Sequence, residues 1–134
     1  MLELAAHILD IAENSVRAGA GLIQITIDEN TETDSLCIEI IDDGQGMNRE
    51  EIQKALDPFY TTKTVRRIGL GLPLLSAAAQ RTGGNFHLES QEGRGTTVKA
   101  TFGLSHMDRQ PMGDMTNTLI ILIAGNASVD FLYK

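Results

Sequence analysis

The chain has 134 residues, of which 42% are hydrophobic and 22% charged, values typical of one globular domain that exclude disorder and collagen-like structure. A formal net charge of −7 without a basic stripe argues against nucleic-acid binding, and 4% aromatic residues argue against a stacking platform for single strands. The longest apolar run, residues 119–124, is far too short to span a membrane. With one cysteine and no secretory signal, we expect a cytoplasmic protein whose partners include neither nucleic acid nor membrane.

The first half of the chain is predicted to form a helix, a hairpin and a second, short helix. Apolar residues recur at three- and four-residue steps over residues 2–19, which predicts an amphipathic helix. Alternating apolar residues over 22–28 and 36–42 predict two strands joined by a polar turn. Asn48 is placed to cap the next helix, and Glu51, three residues later, completes a capping box.

The second half repeats a helix followed by two strands. A polar, basic loop over residues 59–68 precedes a helix over about 69–82, and two strands, 86–90 and 96–102, follow across a tight turn. Paired strands that alternate with helices predict an α+β fold. We expect a two-layer α/β sandwich, with a mixed, mostly antiparallel sheet and helices on one face.

We expect one domain over residues 1–104 and an extension over 105–134. The extension begins as a linker, continues as a helix that Asp114 or Thr116 caps, and ends in an edge strand over 129–133. The chain stops directly after this apolar strand, which is compatible with truncation of a longer protein.

The first helix carries a candidate metal-binding and catalytic group. His7, Asp10 and Asn14 are spaced to share one polar face. The amide oxygen of Asn14 is a suitable ligand for Mg²⁺, and Asp10, one turn earlier, is placed to orient or deprotonate a water molecule. Glu13 is the competing carboxylate. The plainer alternative is a solvated helix face with Glu13 and Arg17 as an ordinary ion pair.

A second candidate group directly follows the second strand. The carboxylate of Asp42 can accept a hydrogen bond from an exocyclic amine such as adenine N6, and would select against guanine. Gly44 and Gly46 let a flat ring approach the backbone, and Met47 completes this candidate pocket. In a later glycine-rich turn, the hydroxyl of Thr96 could reach Asp42. Taken singly, both segments are also explained as glycine turns.

The third candidate group is a basic loop followed by a helix that glycines open. Lys63, Arg66 and Arg67 gather positive charge, and Gly69 and Gly71 leave backbone N–H groups exposed at the helix start, where anions bind. This pattern is typical of a mobile lid over phosphates, whereas a basic surface loop is the plainer alternative. The candidate contacts in this segment are Phe59, Thr62, Lys63, Gly69, Leu70, Gly71 and Leu72.

In this order and at these separations, the motifs resemble the nucleotide site of the GHKL ATPases, also called Bergerat-fold or histidine kinase-like ATPases. The resemblance covers about residues 2–103, and Pro-Phe-Tyr-Thr-Thr-Lys at 58–63 is most similar to the catalytic domain of sensor histidine kinases. It implies the Bergerat fold and binding of ATP with Mg²⁺. By position, Asn14 would bind the Mg²⁺ that bridges the phosphates, and Asp42, supported by Thr96, would hold the adenine amine.

The resemblance also implies roles for the glycines and the lid. Gly44 and Gly46 would wall the base pocket, and Phe59 would anchor the lid. Backbone donors of Gly69 and Gly71 would meet the phosphates, which Lys63 would also contact.

The catalytic base is left open by the resemblance. Gyrase-like members carry a glutamate four residues before the asparagine, where this chain has the shorter Asp10. Sensor kinases often carry an acidic residue just before the asparagine, where this chain has Glu13. Arg67 also stands where a further glycine is usual. Residues 72–75, 99–102 and 104–109 resemble a smaller group, the stand-alone ATP-binding proteins encoded beside subunits of iron-only hydrogenases.

Three functions follow as hypotheses. The leading one is a protein kinase that moves a phosphoryl group from ATP to a histidine or Ser/Thr on a separate protein, since the chain starts shortly before Asn14 without an acceptor hairpin. The second is a nucleotide-gated module that docks a partner or regulator with little turnover. The third is slow ATP hydrolysis coupled to dimer closure, with Asp10 as the base. A homodimer is left open.

Overall fold

The computed structural model describes residues 4–57, 71–105 and 109–134. Its helices are α1 (Leu4–Arg17), α2 (Arg49–Leu56), α3 (Gly71–Arg81) and α4 (Met115–Gly125). Its strands are β1 (Leu22–Asn30), β2 (Ser35–Asp42), β3 (Asn85–Gln91), β4 (Gly95–Gly103) and β5 (Asp130–Tyr133). The predicted hairpin, the two later strands and the helix over 115–125 are confirmed, with ends that differ by a few residues.

The five strands form one sheet in the order β3-β4-β2-β1-β5. The pairs β1/β2, β2/β4 and β3/β4 are antiparallel, whereas β1 and β5 run parallel. The chain is therefore an α+β sandwich with a mixed, mostly antiparallel sheet, as predicted.

The core lies between one face of the sheet and the helices. Along β2 the side chains alternate, so that Leu36, Ile38 and Ile40 are buried while their neighbours are only half-buried. Phe102 on β4 is also fully buried. In the helical layer α1 packs on β2 and contacts both other long helices, and α3 packs on β3 and β4. The order of the layer is thus α3, α1, α4, which places α4 at the β5 end of the sandwich.

The start of α1 differs from the prediction. His7 is buried rather than part of a solvated polar face, and its Nε2 lies 2.9 Å from Oε1 of Gln110. The chain returns over this end of the helix, where the backbone N–H of Leu4 donates to the carbonyl oxygen of Pro111 at 2.8 Å. The first-turn N–H groups of a helix lack intrahelical acceptors, and this segment supplies two, the carbonyl oxygens of Pro111 and Met112. The polar face therefore begins one turn later, at Asp10.

Two predicted caps are present. Asn48 accepts from the backbone N–H of Glu51 and the Glu51 side chain accepts from that of Asn48, which confirms the capping box. Asp114, rather than Thr116, caps α4 by accepting from the backbone N–H of Asn117 at 2.9 Å. The division into a domain over 1–104 and an extension stays a prediction. Among the helices described, none is long and apolar enough to cross a membrane.

Candidate functional site

A cavity of about 690 Å³ opens between α1, the sheet, and α2 with the segment that leads into it. This volume lies in the range of small-molecule sites. Its α1 side is lined by Ile11, Asn14, Ser15, Arg17 and Ala18, its sheet side by Ile40, Asp42, Thr96 and Val98, and its third side by Gln45, Gly46, Met47, Glu51, Lys54 and Ala55. The structure therefore brings together the predicted residues of α1, the end of β2 and the start of β4.

Asp42 lies at the end of β2, where only 8% of its surface is exposed. Its Oδ2 accepts from the hydroxyl of Ser15 at 2.6 Å, and its Oδ1 accepts from the backbone N–H of Gly44 at 2.9 Å. A carboxylate has about four acceptor positions, so these two bonds fix its orientation and leave positions for a ligand. The arrangement suits recognition of an amine donor at an apolar cavity floor.

Ser15 was missed by the sequence analysis. It is buried on α1, where it also lies 3.3 Å from the carbonyl oxygen of Ile11. The available signal was its position three residues after Ala12, because a hydroxyl on an apolar helix stripe needs a buried partner. That partner, Asp42, is 27 residues away in the sequence.

Thr96 faces Asp42 across the β2/β4 ladder. Its hydroxyl lies 2.8 Å from that of Ser90, a second residue that the sequence analysis missed. The Ser90 hydroxyl accepts from the backbone N–H of Met47 at 2.8 Å and lies 3.1 Å from the carbonyl oxygen of Gly95. Ser90 thus connects three segments around the cavity. The sequence offered one signal for Ser90: it follows two apolar residues of β3 at every second position, and these are half-buried. Support of Asp42 by Thr96 stays a prediction.

The glycines after β2 are required by packing as well. At Gly44, a Cβ would lie 2.9 Å from the carbonyl oxygen of Ala18 and 3.1 Å from Oδ1 of Asp42. Gly46 has a φ of +72°, and a Cβ there would collide with the carbonyl group of Gln91. Gly46 lines the cavity, whereas Gly44 is buried and does not belong to the described lining.

Asn14 and Arg17 line the mouth of the cavity. The guanidinium Nη2 of Arg17 donates to Oδ1 of Asn14 at 2.6 Å. On the opposite side Lys54 lines the cavity and pairs with Glu50 at 3.1 Å. Two cationic side chains that the sequence analysis did not assign to the site therefore border it, on a chain whose net charge is negative.

The two candidate bases, Asp10 and Glu13, lie on α1 before Asn14. Burial raises the pKa of Asp10 above its ordinary value, and the nearby His7 and Arg17 oppose part of this shift. Neither Asp10 nor Glu13 belongs to the cavity lining in the part of the chain that the structure describes. Which of them acts as base stays open.

The predicted protein ligand for Mg²⁺, Asn14, lines the cavity. The described residues contain no group of three or more His, Cys, Asp or Glu side chains that could hold a metal ion by themselves. Mg²⁺ favours oxygen ligands, keeps several waters and is commonly held through substrate phosphates. The amide oxygen of Asn14 fits that mode of binding, provided that it releases Arg17.

The predicted lid lies largely outside the described residues. Phe59, Thr62, Lys63, Gly69 and Leu70 all belong to this segment. Gly71 is the first residue of α3, and the side chain of Leu72 packs into the core. If Leu72 contacts a nucleotide, its backbone is therefore the group available.

Comparison with known families gives one profile that covers most of the chain. The profile described as "Histidine kinase-, DNA gyrase B-, and HSP90-like ATPase" matches residues 2–106. This range includes α1 to β4 and every predicted site residue.

Individual similar proteins are bacterial kinases. The chain is 34% identical over 95 residues to sensor histidine kinase WalK of Bacillus subtilis, a match that spans 67% of this chain and 15% of that protein. It is 38% identical over 69 residues to sensor kinase CckA of Brucella abortus, with 51% and 7% covered. It is 31% identical over 98 residues to sporulation kinase D of Bacillus subtilis, with 73% and 19% covered. The chain thus spans less than a fifth of each of these relatives.

Proposed function

The chain belongs to the family of histidine kinase-, DNA gyrase B- and HSP90-like ATPases, and from this premise we propose that it transfers a phosphoryl group from Mg²⁺-bound ATP to a separate protein. The acceptor would be a histidine or a Ser/Thr side chain. The observation that carries the proposal is the buried, doubly hydrogen-bonded carboxylate of Asp42 on the floor of a cavity that Asn14 also lines.

Recognition of the adenine would depend on Asp42. The exocyclic amine of adenine is a donor that matches a free acceptor position of this carboxylate, whereas guanine presents an oxygen there. Apolar side chains of Ile40, Met47 and Val98 line the same cavity and offer contact for the ring. Gly46 keeps the adjacent wall free of a side chain.

The phosphates would lie toward the mouth of the cavity. Asn14 would help to hold Mg²⁺, which would neutralise part of the charge that develops during transfer. Arg17 would exchange its hydrogen bond with Asn14 for contact with a phosphate oxygen, and Lys63 of the lid would add a second cation. The N–H groups at Gly69 and Gly71 would present further donors.

The nature of the acceptor decides whether a base is needed. A neutral imidazole nitrogen attacks with its own lone pair, whereas a Ser/Thr hydroxyl must lose its proton during transfer. Asp10 is suited to take that proton because burial raises its pKa. Glu13 is the alternative.

The names of the similar proteins support a protein kinase. These are sensor and sporulation kinases, of which this chain matches only a small part. The resemblance of residues 72–75, 99–102 and 104–109 to the stand-alone ATP-binding proteins encoded beside hydrogenase subunits favours a separate acceptor or regulator. The acceptor or regulator would then be a separate polypeptide in the cytoplasm.

One observation favours a second function. Both candidate bases lie outside the described cavity lining. A nucleotide-gated module would need no base, because ATP would only order the lid and so create a docking surface. The same cavity would bind ATP, but the ATP would not be turned over.

The fate of the γ-phosphate separates the two functions. The protein is incubated with Mg²⁺ and γ-labelled ATP, with and without an extract of its source, and the label is followed. We expect label on another protein, and acid lability of the bond would distinguish phosphohistidine from phosphoserine. Label that stays on ATP, with binding shown by competition, would contradict the kinase and leave the gated module.

The control for this experiment is Asp42→Asn, which should abolish labelling of the acceptor. Asp28→Asn serves as the matched change, because Asp28 is an exposed aspartate on β1. If both variants label equally well, the kinase activity does not arise from this cavity.

A further inference from the structure

The β5 end of the sandwich exposes apolar side chains on both layers. β5 is the outermost strand of the sheet, and no described strand lies beyond it. In the helical layer α4 occupies the same end. Its sequence from Met115 to Gly125 contains no ionisable side chain. Three of its isoleucines, Ile120, Ile121 and Ile123, are 57%, 46% and 56% exposed, a degree unusual for this residue type.

The backbone of β5 has one free edge. The N–H of Asp130 donates to the carbonyl oxygen of Gly21 at 2.8 Å, and that of Lys134 donates to the carbonyl oxygen of Ile25 at 3.0 Å. The backbone groups of these even-numbered residues therefore point toward β1. By alternation, Phe131 and Tyr133 direct theirs away from β1. An exposed apolar edge of this kind is a template for another strand.

We propose that this end of the molecule pairs with the same end of a second copy, so that two β5 strands form an antiparallel ladder across a twofold axis. A twofold axis perpendicular to the sheet makes identical edge strands antiparallel and keeps both helical layers on the same side. The two α4 helices, each at the end of its layer, then become neighbours. Sheet and helical layer are both continued across the axis.

The sequence of the strand selects the register. In the symmetric register centred on Leu132, Asp130 lies opposite Lys134 of the second copy, and the reverse pair repeats across the axis. Phe131 lies opposite Tyr133, and both share the helical side because they pair with the buried Ile23 and Ile25. The strand is thus complementary to itself in charge and in its aromatic pairs.

This charge pattern argues for a second copy rather than an unlike partner. Two chains with a net charge of −7 repel each other, so association is favoured at a surface where their facing charges cancel. At this end α4 contributes no charge, and Asp130 and Lys134 cancel one another across the axis. A strongly basic or acidic partner would find no net charge here to bind.

Charge reversal on the full chain tests the register. Analytical ultracentrifugation should give a mass of twice 14.5 kDa at high concentration. Asp130→Lys and Lys134→Asp should each raise the dimer dissociation constant, roughly tenfold, because both symmetric pairs then carry like charges. The double variant, with the two residues exchanged, should restore dimerisation.

The two single variants also separate local pairing from overall repulsion. Asp130→Lys moves the net charge toward zero, whereas Lys134→Asp makes it more negative. If only overall repulsion mattered, the first would strengthen the dimer and the second would weaken it. That result, or a monomer at every concentration, would overturn the proposal. Far-UV circular dichroism confirms that each variant is folded.

A disulfide across the twofold axis tests the register directly. With Cys37 replaced by Ser, Leu132→Cys places two thiols opposite each other in a non-hydrogen-bonded pair, where Cα atoms are about 4.5 Å apart and a disulfide can form. Oxidation should trap a covalent dimer. Tyr133→Cys is the matched control, because its thiols are offset along the ladder. A dimer that the control traps as well as Leu132→Cys does would exclude this register.

Discussion

At the scale of single residues, Asp42 is the side chain around which the cavity is arranged. Its two oxygens are held by a helix residue, Ser15, and by the backbone of the following turn at Gly44. A buried carboxylate needs such donors, because an unpaired charge is costly to bury. The same bonds hold the remaining acceptor positions toward the cavity, so one set of contacts serves both stability and recognition.

We expect Asp42→Asn to weaken ATP binding by at least roughly tenfold, because a hydrogen bond to a charged acceptor is replaced by a weaker, misoriented one. Isothermal titration calorimetry with ATP measures the change, and Asp28→Asn provides the control. Unchanged affinity in a folded Asp42→Asn protein would contradict the adenine assignment.

The neighbouring Asp43 stabilises the fold to an extent that depends on pH. Backbone N–H groups of Leu22 and Gly21 donate to its exposed carboxylate and hold its pKa below the ordinary 3.8. Because the folded pKa is lowered, its stabilising effect is present above the ordinary pKa and is lost as the pH falls through the folded value.

We therefore expect Asp43→Ala to lower the melting temperature at neutral pH, with a difference from the parent protein that shrinks below about pH 4. Thermal melts across this range measure it. A difference that is constant with pH would mean that the carboxylate charge is not the stabilising feature.

At the scale of elements, the site depends on how a turn meets a strand. Gly95 opens β4 with a φ of +108°, and a Cβ there would collide with the carbonyl oxygen of Asp42. Gly93, in the same turn, has a φ of +79° and no atom within 4 Å of its Cβ position. Substitutions at the two glycines therefore distinguish two costs. At Gly93 only the left-handed backbone conformation is strained, whereas at Gly95 a side chain would also disturb the close approach of β4 to β2.

We expect Gly93→Ala to cost about 1 kcal/mol through its left-handed conformation alone. Gly95→Ala should cost at least about 2 kcal/mol more, because β4 must also move away from β2. Urea unfolding of the two variants measures the difference. Equal losses of unfolding free energy would show that the turn conformation, and not the β2/β4 contact, requires glycine at position 95.

At the scale of the whole molecule, the C-terminal elements join the same sandwich as the rest of the chain. Leu122 of α4 is fully buried, α4 packs on α1, and β5 adds to β1. Elements on both sides of the predicted boundary at residue 104 share one core. We therefore ask whether the two parts unfold together.

We expect Leu122→Ala to lower the unfolding free energy by about 2–5 kcal/mol while a single transition is kept. Thr116→Ala, at an exposed position of the same helix, should change it by less than about 0.5 kcal/mol. Two separate unfolding transitions in the parent protein would instead support an independent extension.

The sequence by itself determined the local elements and the order of the motifs. Period, capping and turn residues act over a few positions, so α1, the β1/β2 hairpin and the capping box at Asn48 could be predicted from the printed chain. The order and separations of all the motifs together carried the resemblance to the family, which the profile match confirms.

Only the tertiary structure decided which side chains meet. Ser15 reaches Asp42 over 27 positions, and His7 is buried because residues 109–112 return over the start of α1. These contacts depend on packing between distant segments, which no local pattern encodes. The parallel pairing of β5 with β1 is of the same kind, and it places β5 at the outer edge of the described sheet.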